Sequence, residues 1–335
     1  VLISFYTCPT ARLRLHLPPA TGPTFTGKRQ LSYTFERMEG LVPVVDLEEY
    51  EREPQKLREA SEKWGCFRLV NHGVPTKLMT EMKGVTRDLL DLPIEIKQRN
   101  KDVLPGSGYM APSEKNPLYE ALGLCDAGSS SSISSFCSQL EASPHQREII
   151  EKYAEAIQKL AIDIATKLAK SMGASDYCFD GWPCQFRINK YTFTTETIGS
   201  PGVQIHTDSA FLTILQDDEN LGGLEVMGPL STSFVPVDPW PGTLVVNLGD
   251  IAVPWSNGRL RSVQHRVQCK DAGLRFSVAT FLSPPPDKVV EAPPEFINEG
   301  HPRMFSLFTY EEYRKLRSTT KLHAGEALQL IRLEK

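Results

Sequence analysis

The sequence predicts an α+β fold: a double-stranded β-helix (jelly roll) core with a helical N-terminal region packed on it. Two observations carry this. Downstream, eight short apolar runs at 185–191, 202–206, 212–215, 224–227, 234–237, 244–248, 263–268 and 275–281 are separated by turn residues at close spacing, as a sandwich or barrel requires. Upstream, residues 144–172 repeat Ile149, Ile150, Tyr153, Ile157, Leu160, Ile164, Leu168 and Met172 at helical spacing, long enough for a spine under the strands.

The remaining elements follow in order. Residues 42–47 read as a strand, the charged stretch to Trp64 as a helix, and residues 66–70 as a second strand ending at Asn71-His72-Gly73, where His72 caps the turn. Residues 75–92 form an amphipathic helix stopped by Pro93, and the Gly/Pro-rich stretch to Tyr109 is a loop. Ser129 to Ser135, a low-complexity tract, reads as a mobile surface loop. Trp255-Ser-Asn257-Gly258 reads as a hairpin turn with positive φ at its Asn-Gly, and residues 310–316 as a last helix. The chain thus divides into residues 1–37, 38–180 (mostly helical), 181–290 (the jelly-roll core) and 291–335 (a helical extension). The first segment has five basic residues, one acidic residue and no Met before Met38; it reads as a disordered extra or a gene-model artefact, with plastid targeting the less favoured alternative.

Composition removes several classes of function. With 37 basic against 41 acidic residues, the net charge of -4 gives no footprint for nucleic acid. No apolar run approaches the roughly 18 residues of a membrane helix. Seven scattered cysteines without a CxxC pair fit a reducing compartment, read as the cytoplasm.

Chemistry concentrates in the strands. His206-Thr-Asp208 puts an imidazole and a carboxylate two residues apart, hence on one strand face, and His265 is the one downstream histidine inside a β-like run. Two His and one carboxylate on one face of an octahedron, with the other positions open, make the arrangement of non-haem Fe(II) oxygenases. Alone, an HxD tripeptide is more often a chance feature of a polar turn. Ten residues past His265, Arg275-Phe-Ser277 offers a guanidinium fork and a hydroxyl on one face, a receptor for a carboxylate, and Tyr191 of Asn189-Lys-Tyr191 adds a phenol.

These motifs, with CFRLVNHGV, HTDSAFLTIL, GGLEV, VVNLGDIAVPWSNGRLRSVQHRV and RFSVATFLSPP, resemble the plant 2-oxoglutarate-dependent dioxygenases from about Leu41 to Ile331. The resemblance implies Fe(II) on His206, Asp208 and His265. It implies 2-oxoglutarate held by Arg275, Ser277 and Tyr191 with Asn189 nearby, O2 as co-substrate, and ascorbate as an aid in keeping iron reduced. Within the superfamily, NPLYEALGLCD, FCSQLEASPHQREI and GWPCQFRINKYTF are similar to the enzymes for auxin oxidation; where many relatives have Tyr-Pro-Pro-Cys after the Asn, this chain has Lys190-Tyr-Thr-Phe193. The implied reaction converts indole-3-acetic acid to 2-oxindole-3-acetic acid with release of succinate and CO2. Phe281, six residues past Arg275 on the same face, is a candidate to contact the indole; Phe211, Phe186, Tyr109 and Tyr119 are further candidates, each weighed against plain core packing. Three readings compete: the same chemistry on another plant aromatic or specialised metabolite, iron chemistry without 2-oxoglutarate, and a non-catalytic jelly-roll module that binds a ligand or a protein.

Overall fold

The computed structural model describes residues 41–103 and 106–334, so the reading of residues 1–37 lies outside the described residues. In chain order the elements are β1 (Val44–Asp46), α1 (Pro54–Lys63), β2 (Cys66–Val70), α2 (Thr76–Leu90), α3 (Ile94–Lys97), β3 (Tyr119–Leu124), α4 (Ser130–Gln139), α5 (Pro144–Met172), β4 (Cys184–Phe193) and β5 (Pro201–His206). They continue as β6 (Leu212–Gln216), β7 (Leu224–Met227), β8 (Phe234–Pro236), β9 (Leu244–Leu248), α6 (Ala252–Trp255), β10 (His265–Gln268), β11 (Gly273–Leu282), β12 (Val289–Val290), β13 (Phe308–Thr309) and α7 (Tyr310–Thr320). None of the described helices is long and apolar enough to cross a membrane.

The strands make a seven-stranded sheet in the order β1-β2-β9-β6-β11-β4-β3 and a four-stranded sheet in the order β5-β10-β7-β8, the two sheets of the jelly roll. The large sheet borrows β1, β2 and β3 from the region before residue 181, so helical region and core share one sheet. Alternation of side chains assigns its two faces. Phe67, Leu69, Leu122, Leu124, Phe186, Ile188, Leu212, Ile214, Leu244, Val246, Phe276, Val278 and Leu282 turn to the helices and join one buried cluster with the stripe of α5. Each such side chain, once fully buried, contributes about 1.5–3 kcal/mol of hydrophobic stabilisation. The opposite face, between the sheets, holds a smaller apolar cluster including Tyr119, Tyr191, Phe193, Val226 and Val267. That same face carries Arg275 and Ser277.

Helix α5 starts where a capping box predicts it: the Ser143 hydroxyl accepts from the Gln146 N–H while the Gln146 side chain accepts from the Ser143 N–H. Two local expectations give way to packing. The Ser-rich tract forms α4, capped by Ser129, because Ile133, Phe136 and Cys137 fall on one buried stripe that the run of serines conceals. Asn257 and Gly258 do take positive φ, 53° and 85°, but they end the short helix α6 instead of joining two strands. His72 caps its turn as expected, Nδ1 accepting from the Val74 N–H at 3.2 Å.

Candidate metal and co-substrate site

Strands β5 and β10 pair antiparallel with His265 directly opposite His206, so two imidazoles from distant parts of the sequence meet, ring centroids 4.2 Å apart. Asp208 follows just beyond β5, its Oδ1 lying 3.8 Å from His206 Nε2 and 3.7 Å from His265 Nε2. Among the described residues these three form the group whose potential ligand atoms all lie within 4.8 Å of one another.

Their outer partners fix which atoms are offered. His206 Nδ1 lies 2.8 Å from the Gln204 carbonyl and His265 Nδ1 3.2 Å from the Val263 carbonyl. A carbonyl can only accept, so each Nδ1 carries a proton and each Nε2 is the nitrogen turned to the space shared with Asp208. Desolvation, reinforced by the neighbouring His265, pushes the His206 imidazole down to about 4, keeping it neutral and competent as a ligand at pH 7. For Asp208, burial pushes the other way, but the two imidazoles and the Thr213 hydroxyl outweigh it and hold the carboxyl below its ordinary value. Thr213 Oγ1 donates to Asp208 Oδ2 at 2.6 Å, leaving Oδ1 for a metal. Two imidazole nitrogens and one carboxylate oxygen form a donor set that fits Fe(II).

The loop carrying Thr207 is clamped from two sides. The backbone of 249–251 runs against it, with Asp250 N–H donating to the Asp208 carbonyl at 2.8 Å; a Cβ on Gly249 would collide with the Ala210 and Asp208 carbonyls. From α7, Arg317 pairs with the fully buried Asp250 and donates to Thr207 Oγ1 at 3.0 Å and the Thr207 carbonyl at 2.8 Å. Asp250 also accepts from Ser262 and Tyr313, each at 2.7 Å. Sequence reasoning missed Arg317, Asp250 and Thr213. The first two meet the ligand loop only through tertiary contacts, whereas Thr213 stood in plain sight five residues past Asp208.

Further along the same enclosed face, Arg275 on β11 pairs in register with Tyr191 on β4, and Ser277 with Asn189. Arg275 lies over the Tyr191 ring, 4.8 Å from its centroid, and one nitrogen, Nη2, is taken by Asp217. Its Nε and Nη1 are buried with no partner. Burial alone would weaken the cation; Asp217 first, then Tyr191 and Asp218, outweigh that and raise its pKa. A desolvated guanidinium with two N–H directions open fits a carboxylate. Burial raises the Tyr191 pKa, so the phenol stays a neutral O–H donor. Asn189 Nδ2 donates to Ser277 Oγ at 3.2 Å, and Tyr119 donates to Asn189 Oδ1 at 2.8 Å. Tyr119 therefore braces this row.

The aromatic candidates divide. Phe281 is half-buried on the site face, paired in register with Thr213, the residue that holds Asp208. Phe186 and Phe211 are corrections: Phe186 is on the helix side of β4 against Tyr153, and Phe211 is enclosed by Phe179, Trp182 and Trp255. Both bury their rings in the core and do not line the site. Tyr109 donates to Glu120 at 2.7 Å, which also binds Lys97 and anchors the loop before β3.

Comparison with known proteins shows the family. The 2OG-Fe(II) oxygenase superfamily matches residues 182–284, and the N-terminal region described for a non-haem dioxygenase in morphine synthesis matches residues 42–123. Over 276 residues the chain is 52% identical to a protein of Oryza sativa subsp. indica named 2-oxoglutarate-dependent dioxygenase DAO, spanning 82% of this chain and 92% of the relative. The crystal structure of the rice dioxygenase for auxin oxidation superposes with a TM-score of 0.82 at 49% identity, covering 88% of this chain and 100% of that one. Dioxygenase for auxin oxidation 1 from Arabidopsis thaliana, solved as a binary complex with 2-oxoglutarate, superposes with a TM-score of 0.76 at 58% identity, covering 78% of this chain and 100% of that one.

Proposed function

Because the chain belongs to the 2OG-Fe(II) oxygenase superfamily and is a 2-oxoglutarate-dependent dioxygenase, we propose that its substrate is the auxin indole-3-acetic acid, oxidised to 2-oxindole-3-acetic acid with release of succinate and CO2. The observation that carries the auxin reading is the 52% identity, over 82% of the chain, to a rice dioxygenase for auxin oxidation. His206, Asp208 and His265 would hold Fe(II); Arg275, Ser277 and Tyr191 would hold the far carboxylate of 2-oxoglutarate, with Asn189 fixing the Ser277 hydroxyl. When bound, iron and co-substrate supply the activation of O2, one oxygen atom ending in succinate and the other in the product.

The protein's own part is grip and orientation. Carbonyls at Gln204 and Val263 hold both imidazoles with Nε2 toward the metal position, and Thr213 turns the Asp208 carboxylate. Phe281 offers its ring to a flat substrate beside the metal end. We also read the compartment as the cytosol, from the scattered cysteines; cell fractionation tests it.

The deciding experiment reconstitutes purified protein anaerobically with Fe(II) and 2-oxoglutarate, admits air, and follows succinate and products by mass across a panel led by indole-3-acetic acid. Succinate in step with an indole product heavier by one oxygen supports the reading. Succinate only with another aromatic compound moves the substrate elsewhere, and none with any compound returns the binding-module reading.

A further inference from the structure

The site face holds a second cation with open valence. Arg187 lies on β4 between Asn189 and Gln185, on the same side as Tyr191, and pairs in register with Ala279 on β11, midway between Ser277 and Phe281. It lies one row nearer the metal end than the residues proposed to grip 2-oxoglutarate. Its Nε is buried without a hydrogen-bond partner. Nη1 points at the Met110 sulfur, 2.6 Å away, and a thioether is a weak acceptor. No carboxylate among the described residues forms an ion pair with it, whereas Arg275 has Asp217 and Arg266 has Glu225 at 2.7 Å. A partly buried guanidinium with an unpaired N–H costs stability unless an anion completes it. Neighbouring side chains exclude the alternatives: Gln185 donates to the Gly106 carbonyl at 3.3 Å, and Lys190 turns to the other face to meet Asp91 at 2.5 Å.

We propose that Arg187 receives the carboxylate of the organic substrate, so that the enzyme selects an aromatic acid held by its acid group at Arg187 and by its ring at Phe281. This rests on the auxin reading and supplies the one recognition element that reading lacked. It also explains why two arginines on one face stay distinct: Arg275, with Ser277 and Tyr191, takes one carboxylate, and Arg187, one row on, takes the other.

The test is steady-state kinetics of the full chain with Fe(II), using indole-3-acetate and its uncharged methyl ester, for wild type, Arg187→Met and Arg187→Lys. Wild type should prefer the acid. In Arg187→Met the KM for the acid should rise about 10- to 100-fold, the loss expected when a charge-assisted contact disappears. The preference for acid over ester should collapse, and Arg187→Lys should restore part of it. A KM for 2-oxoglutarate that rises while the indole KM stays fixed would assign Arg187 to the co-substrate and overturn the proposal. Should Arg187→Met not fold, wild type alone decides: equal treatment of acid and ester sinks the proposal. Wild type that turns over no indole acid sinks the auxin reading and this assignment with it; wild type that does so indifferently to the ester sinks this assignment alone.

Discussion

Two buried arginine–aspartate pairs flank the site, and they differ in one respect. Arg317 with Asp250 is saturated: the carboxylate, the Thr207 hydroxyl, and the Thr207 and His323 carbonyls leave no buried Arg317 nitrogen without a partner. Arg275 with Asp217 is unsaturated, with Nε and Nη1 open in a space from which water is excluded. Both read as ion pairs in a list of charges. Only the account of every N–H separates them: a guanidinium whose donors are all used is architecture, and one with donors left over awaits a ligand.

Perturbations should separate the pairs, beginning with the largest effect. Removing a metal ligand, His265→Ala, should reduce both turnover and bound Fe(II) to background, by metal analysis after reconstitution; full activity would refute the ligand set. Next, Arg317→Met strands Asp250 in the core and should cost about 3–5 kcal/mol, measured by urea unfolding. The matching change at the open pair, Arg275→Met, should leave stability much closer to wild type while the Kd for 2-oxoglutarate rises about 100-fold, since a bidentate charge-assisted contact is lost. Equal losses of stability and affinity in the two variants would erase the distinction. Arg275→Lys keeps the charge but not the fork, and a rise of about tenfold in the 2-oxoglutarate KM is expected. Smallest, Phe281→Ala should raise the indole KM several-fold, roughly 1 kcal/mol of ring contact, with little change for 2-oxoglutarate.

What the sequence revealed follows the range of its signals. Period-two alternation located the eight strands, and spacing within a strand put Arg275 with Ser277 and Asn189 with Tyr191 on common faces. The same parity argues against Phe186, an even position on a strand whose odd positions face the site, and is enough by itself to exclude that ring. Phe211 precedes β6 in a turn, where parity is silent, and only the packing of Phe179, Trp182 and Trp255 around it decides its place. Helix α4 was hidden because serine carries turn propensity and only three of its residues bear the buried stripe. Arg187 and Asp217 were visible as residues but not as an open and an occupied charge, since that distinction depends on which groups are absent nearby.

The clamp on Thr207 also bears on how the protein is made. Arg317 and the His323 carbonyl lie 110 and 116 residues downstream of the loop they hold, beyond all three proposed ligands. Synthesis proceeds from the N-terminus, so a nascent chain grown just past His265 contains the whole ligand set and the 249–251 side of the clamp, but not the Arg317 side. The second side of the clamp closes only when α7 has emerged and docked. A chain cut short before residue 317 would keep every proposed ligand and one side of the clamp, and would lose the other.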